Sequence, residues 1–163
     1  MSLAGSYERN IRLYKYYVIF SQALFIWPIE ILFLSTKGLS YTQIMLIESL
    51  ASIIQLVLEI PSGIIADTIG CKKTVLLGLI LEIIAYIVLI FANGFEICIV
   101  YGLIMAGGCA MMSGADSALI YESHLAINRK DDYRQTIQQS GFLKMITLSF
   151  VTILSGFLYQ KNI

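Results

Sequence analysis

The chain has 163 residues, of which 58% are apolar and only 13% charged, about half the charged fraction usual for a soluble domain. Eleven basic and eleven acidic side chains cancel, so net charge favours neither a nucleic acid nor an acidic ligand, and no nucleic-acid partner is expected. Cys71, Cys98 and Cys109 form no CxxC pair and no metal spacing, and the single histidine, His124, cannot build a cluster, so no metal or cofactor is expected.

Residues Met1 to Lys15 are polar and carry Arg9, Arg12 and Lys15. Apolar segments follow at about 16–34, 42–66, 74–92, 95–119 and 141–159. A helix crossing the roughly 30 Å hydrocarbon core needs about 20 residues, and each segment is close to or above that length. The first of them lacks a small-residue cleavage site and is read as a span, not as a signal peptide. Apolar residues surround most of each segment, which predicts an all-α bundle of five membrane-spanning helices. The links between them are short and polar: 67–73 is charged and punctuated by glycine, and the longer 121–140 is expected to be either a solvated connection or a surface helix or ordered loop.

Nine of the eleven Lys and Arg residues lie in the N-terminal segment, the 67–73 link, and the 121–140 link with Lys144 beside it. Lys37 and Lys161 are the others. Alternate links are therefore basic and non-basic, which predicts a cytoplasmic N-terminus and a cytoplasmic 67–73 link.

An ionisable side chain at the centre of a spanning helix costs about 2.5–3.5 kcal/mol on insertion scales, so it seldom faces lipid. The second segment carries Glu48, Ser52, Gln55, Glu59 and Gly63 at helical spacing on one face. That stripe either lines a path or forms a polar packing seam. In the first segment Pro28 removes a backbone donor and predicts a bend there, with Glu30 just beyond it. Glu82 is a lone carboxylate near the middle of the third segment and is the weaker candidate for a substrate or ion path, as a proton carrier or as a hydrogen-bonded structural group. In the fourth, Gly102, Ala106, Ala110, Gly114 and Ala118 repeat every four residues, a ridge that lets a helix approach closely, with Gly107 and Gly108 adding room. Asp116 and Glu122 lie towards its cytoplasmic end, level with Lys72 and Lys73, and at least one is expected to pair with that link.

The run GIIADTIGCKK, Gly63 to Lys73, resembles the cytoplasmic signature between the second and third membrane helices of the major facilitator superfamily, G-x-x-x-D-[RK]-x-G-R-[RK]-[RK]. Gly63, Asp67, Gly70, Lys72 and Lys73 match it; Thr68 and Cys71 replace residues that are usually basic. Pro61-Ser62 and the later GADSALIYE stretch also look like bacterial members. The resemblance implies that the matching residues act as a conformational latch on the cytoplasmic side. It also implies a secondary transporter of the bacterial inner membrane, which binds a small solute near the midplane and moves it by alternating access. The fourth segment lacks the arginine of many proton-coupled members, and the fifth lacks the Gly-Pro-rich motif of drug antiporters. Members usually have twelve helices in two halves. Five helices supply most of one cavity wall, so a missing C-terminal half or another copy of the chain is the expected partner, alongside the lipid bilayer. A membrane scaffold with no transport activity is the alternative. An enzyme is not expected, because no nucleophile, base and metal set converges.

Overall fold

The computed structural model describes residues 3–161, and these form seven α-helices without a strand: α1 (Leu3–Gln22), α2 (Ile26–Thr36), α3 (Tyr41–Ile69), α4 (Cys71–Phe91), α5 (Phe95–Met112), α6 (Ala115–Ala126) and α7 (Asp132–Lys161). Five stretches among the described residues are long and apolar enough to cross a membrane: Gly5–Thr36, Tyr41–Ile69, Cys71–Phe91, Phe95–Ala126 and Asp132–Lys161. The chain is thus an all-α, multi-pass membrane protein. Its first and fourth spans are each built from two helices.

The break in the first span falls at Ala23–Phe25, one turn before Pro28 rather than at it. A proline ring collides with the carbonyl four residues earlier, here that of Leu24, so the disruption lands upstream and the proline sits in the first turn of the new helix. The break in the fourth span falls at Ser113 and Gly114, where Gly114 has φ 80°. Gly114 therefore leaves the small-residue ridge, which continues on α5 as the buried Gly102, Ala106 and Ala110.

Both charged links, 67–73 and 121–140, are shorter than their polar sequences suggest. α3 carries Asp67 within it and α4 begins at Cys71, so the turn between them is Gly70 alone. A helix of 29 residues is about 43 Å long at 1.5 Å per residue, longer than the hydrocarbon core, and its charged end can project from the bilayer. Most of 121–140 is likewise helical, leaving a turn at 127–131 in which Asn128 takes φ 56°.

The chain divides into two compact units, Ile31–Ala118 and the segments that flank it. In the Ile31–Ala118 unit, α5 packs against both α3 and α4. Leu34, Ile44, Ile47, Ala85, Leu89, Cys98 and Tyr101 form the buried core at one end. A capping box starts α3, with the Ser40 hydroxyl accepting from the Gln43 N–H and the Gln43 side chain from the Ser40 N–H. Lys37 donates to the Ile90 carbonyl at 2.9 Å, satisfying the C-terminal turn of α4 with a cation. In the flanking unit α1 packs along α7 around Tyr14, Val18 and Ile120.

Candidate functional site

The second span shows two faces in the structure. Ile44, Ile47, Ser62 and Ala66 of α3 are buried. Glu48, Ser52, Glu59 and Gly63 are exposed and Gln55 is half-buried. The residues of the polar stripe follow the seam Ile47, Ala51, Ile54, Leu58 and Ser62 by one position each, which rotates the stripe about 100° from that seam. It therefore runs along the flank of the α3–α5 contact and not inside it.

Two carboxylates of this unit reach α5. Ser113 donates its hydroxyl to Glu59 Oε1 at 3.1 Å, and Ser113 is the residue at which α5 stops. The helix break thus hands a polar group to the end of the stripe. On α4, Glu82 Oε1 accepts from the Cys109 thiol at 3.8 Å. Glu82 is half-buried beside Gly108, where the backbones of α4 and α5 approach closely. Glu48, Gln55, Glu59 and Glu82 share one unit, whereas Glu30 on α2 belongs to the other.

The turn at Gly70 joins α3 to α4 with φ 92° and ψ 142°, a backbone region that is essentially glycine-only. Asp67 lies in the last turn of α3, and Lys72 and Lys73 lie in the first turn of α4; all three are exposed. Helix dipoles favour cations at C-termini and anions at N-termini, by about 0.3–1 kcal/mol each at exposed positions. Each of these three charges has the sign its own helix end disfavours. Among the described residues none of the three makes an ion pair. A Cβ on Gly63 would meet nothing within 4 Å, so that glycine is not required by packing inside the chain.

The two acids expected to pair with this link are placed differently. Asp116 stands in the first turn of α6, where its Oδ1 accepts the Ser117 N–H at 2.6 Å. An anion there suits the helix dipole. Glu122 lies in the flanking unit.

Reading the sequence for lone ionisable groups passed over Ser113, Cys109 and Gly78, which meet Glu59, Glu82 and Gly108 across helices at separations that carry no local signal. His124, a lone histidine in the sequence, is buried at 3% exposure, and its ring joins α6 to α7 through Thr136. Among the described residues no group of three His, Cys, Asp or Glu side chains comes together to hold a metal ion.

A family model for the Major Facilitator Superfamily matches residues 17–123, two-thirds of the chain. The chain is also 28% identical, over 137 residues, to an uncharacterized MFS-type transporter, YxaM, of Bacillus subtilis (strain 168). That match covers 83% of the chain and 33% of the relative, so the chain spans about a third of the length of the curated relative it matches. No solved structure matches.

Proposed function

The chain belongs to the Major Facilitator Superfamily, and on that premise we propose that it is part of a secondary transporter that moves a small solute by alternating access. The observation that carries this reading is the α3 stripe. Glu48, Ser52, Gln55 and Glu59 run along a membrane-length helix on a flank that its own unit leaves largely open. Such a flank needs either a water-filled cavity or further protein, because lipid is costly to it. A cavity enclosed between this chain and a second half, or a second copy, meets that need.

In this reading Glu30, Glu48, Gln55 and Glu59, with Glu82 in a lesser role, contribute to the polar path. Gly63, Asp67, Gly70, Lys72 and Lys73 form the latch, with Asp116 and Glu122 as its candidate partners. The disfavoured signs of Asp67, Lys72 and Lys73 support this assignment, since charges that oppose their own helix ends make sense when a partner element answers them. The distribution of Lys and Arg supports a cytoplasmic N-terminus and a cytoplasmic Gly70 turn, and the bacterial relative supports a bacterial inner membrane.

The test is solute flux. Full-length protein in sealed vesicles, given an imposed proton or sodium gradient and a panel of labelled sugars, amino acids and amphipathic cations, should accumulate or expel at least one of them. The flux should vanish when the gradient is collapsed and fall with Glu59→Gln. Gradient-independent, protein-independent leakage for every solute would favour a second reading, a membrane scaffold. One observation favours that reading: Glu59 already holds Ser113 at the end of α5, and Glu82 holds Cys109 within it.

A further inference from the structure

An open groove of about 470 Å³ lies between the polar ends of α1 and α7, with Arg12 and Lys15 of α1 and Arg129 of the α6–α7 turn among its lining. We propose that this groove binds a phosphate-class anion, either the headgroup of an acidic lipid or free phosphate. This does not depend on whether the chain transports a solute.

Charge in the groove resolves into a paired part and an open part. Arg129 Nε holds Asp132 Oδ2 at 2.7 Å, which neutralises the acid on the α7 side. Lys15 is half-buried, and its ammonium donates to the neutral Gln139 amide oxygen at 2.9 Å. Arg12 is exposed and has no ion-pair partner among the described residues. Arg12 and Lys15 are three residues apart and so share one face of α1. A guanidinium offers a two-pronged donor set and an ammonium a compact charge, and together they suit the oxygens of a phosphate. Glu8, the remaining acid of the lining, stands one turn from Arg12 towards the N-terminus, which leaves the Lys15 side for the anion. A phosphate there would replace a neutral partner of Lys15 with a charged one.

The depth of the site fits a headgroup. The apolar run of α1 begins at Tyr16, directly after Lys15, and that of α7 begins at about Gly141, just after Gln139. The Lys15–Gln139 contact therefore marks the level where hydrocarbon gives way to phosphates. Basic pockets between spanning helices at this level bind acidic headgroups.

The test uses full-length protein in phosphatidylcholine nanodiscs with and without phosphatidylglycerol, read by native mass spectrometry of retained lipid. A parallel arm reads the shift in thermal melting produced by inorganic phosphate in phosphatidylcholine alone. Wild type should retain phosphatidylglycerol, and Arg12→Gln with Lys15→Gln should weaken retention about twenty-fivefold, at about fivefold per cation. Arg12→Lys with Lys15→Arg should keep it. If inorganic phosphate alone stabilises wild type and not the Gln variant, the anion is free phosphate. Arg12→Gln by itself, on an exposed side chain, should weaken binding about fivefold and serves if the double variant does not fold. Equal response of wild type and the folded Gln variants to both probes would overturn the proposal.

Discussion

The carbonyl oxygen of Gly78 lies 3.0 Å from the point where a side chain on Gly108 would begin. Glu82 Cγ and the Glu82 backbone nitrogen stand at 3.1 and 3.2 Å from the same point. The α4–α5 contact is therefore backbone against backbone, and the glycine is needed for its absent Cβ. Gly108→Ala should destabilise the protein by about 1–3 kcal/mol through overpacking, reduced by up to about 1 kcal/mol of helix propensity. Gly107→Ala is the control, because its Cβ would meet only Leu81 Cδ1 at 3.8 Å. Thermal melting in detergent should separate the two, and equal melting would count against the close approach.

His124 closes the α6–α7 turn. Its Nδ1 faces the Arg129 carbonyl at 3.1 Å, and its Nε2 faces Thr136 Oγ1 at 3.0 Å. A carbonyl only accepts, so Nδ1 carries a proton, and in the neutral ring Nε2 accepts from the threonine hydroxyl. His124→Ala leaves the buried Thr136 hydroxyl and the Arg129 carbonyl without this partner, at about 1–3 kcal/mol for each group that stays buried. Hydrogen exchange of residues 127–136 should accelerate, with α5 unaffected. Thr136→Val should have a smaller effect, since it removes one of the two contacts.

The proposed latch gives a test in which stability and turnover move in opposite directions. Asp67→Asn removes a charge that opposes its helix end, so melting should hold or rise, by up to about 1 kcal/mol of stability. Turnover in vesicles should fall while substrate binding changes little. A variant with intact turnover would remove Asp67 from the latch. Gly70→Ala should lower both stability and turnover, because the backbone at φ 92° and ψ 142° costs any other residue about 1–3 kcal/mol.

Orientation is open to a direct assay. A reporter active only outside the cytoplasm should be active when fused after Gly38 and inactive when fused after Gly70. The reverse pattern would invert the whole assignment and move the Gly70 turn to the outer face.

Much of this architecture was legible because a bilayer imposes its thickness on sequence. The five apolar segments are long enough to see, and glycine at the second turn stands out between charges. Helix ends were less legible. Asp67, Lys72 and Lys73 look like loop residues, yet a helix longer than the hydrocarbon core carries charges on its projecting end without unwinding. The breaks at Ala23–Phe25 and Ser113–Gly114 lie inside continuous apolar runs, where hydropathy does not change. Ridge periodicity ran straight through Gly114, although its positive φ ends the ridge. His124 reads as a lone histidine in the sequence, because its two contacts, five and twelve residues away, leave no periodic trace. The α3 stripe was visible by spacing, while its position on the flank of the α3–α5 contact needed α5 in place.

The central claim is that this stripe faces water inside the membrane, and single-cysteine accessibility tests it most directly. With Cys71, Cys98 and Cys109 replaced, Ser52→Cys, Gln55→Cys, Ile53→Cys and Val57→Cys in full-length protein would be exposed to a membrane-impermeant, water-soluble maleimide. Water along the stripe should give fast labelling at 52 and 55 and little at 53 and 57, whose wild-type side chains are exposed apolar groups suited to lipid. Labelling at 52 and 55 no faster than at 53 and 57 would refute it.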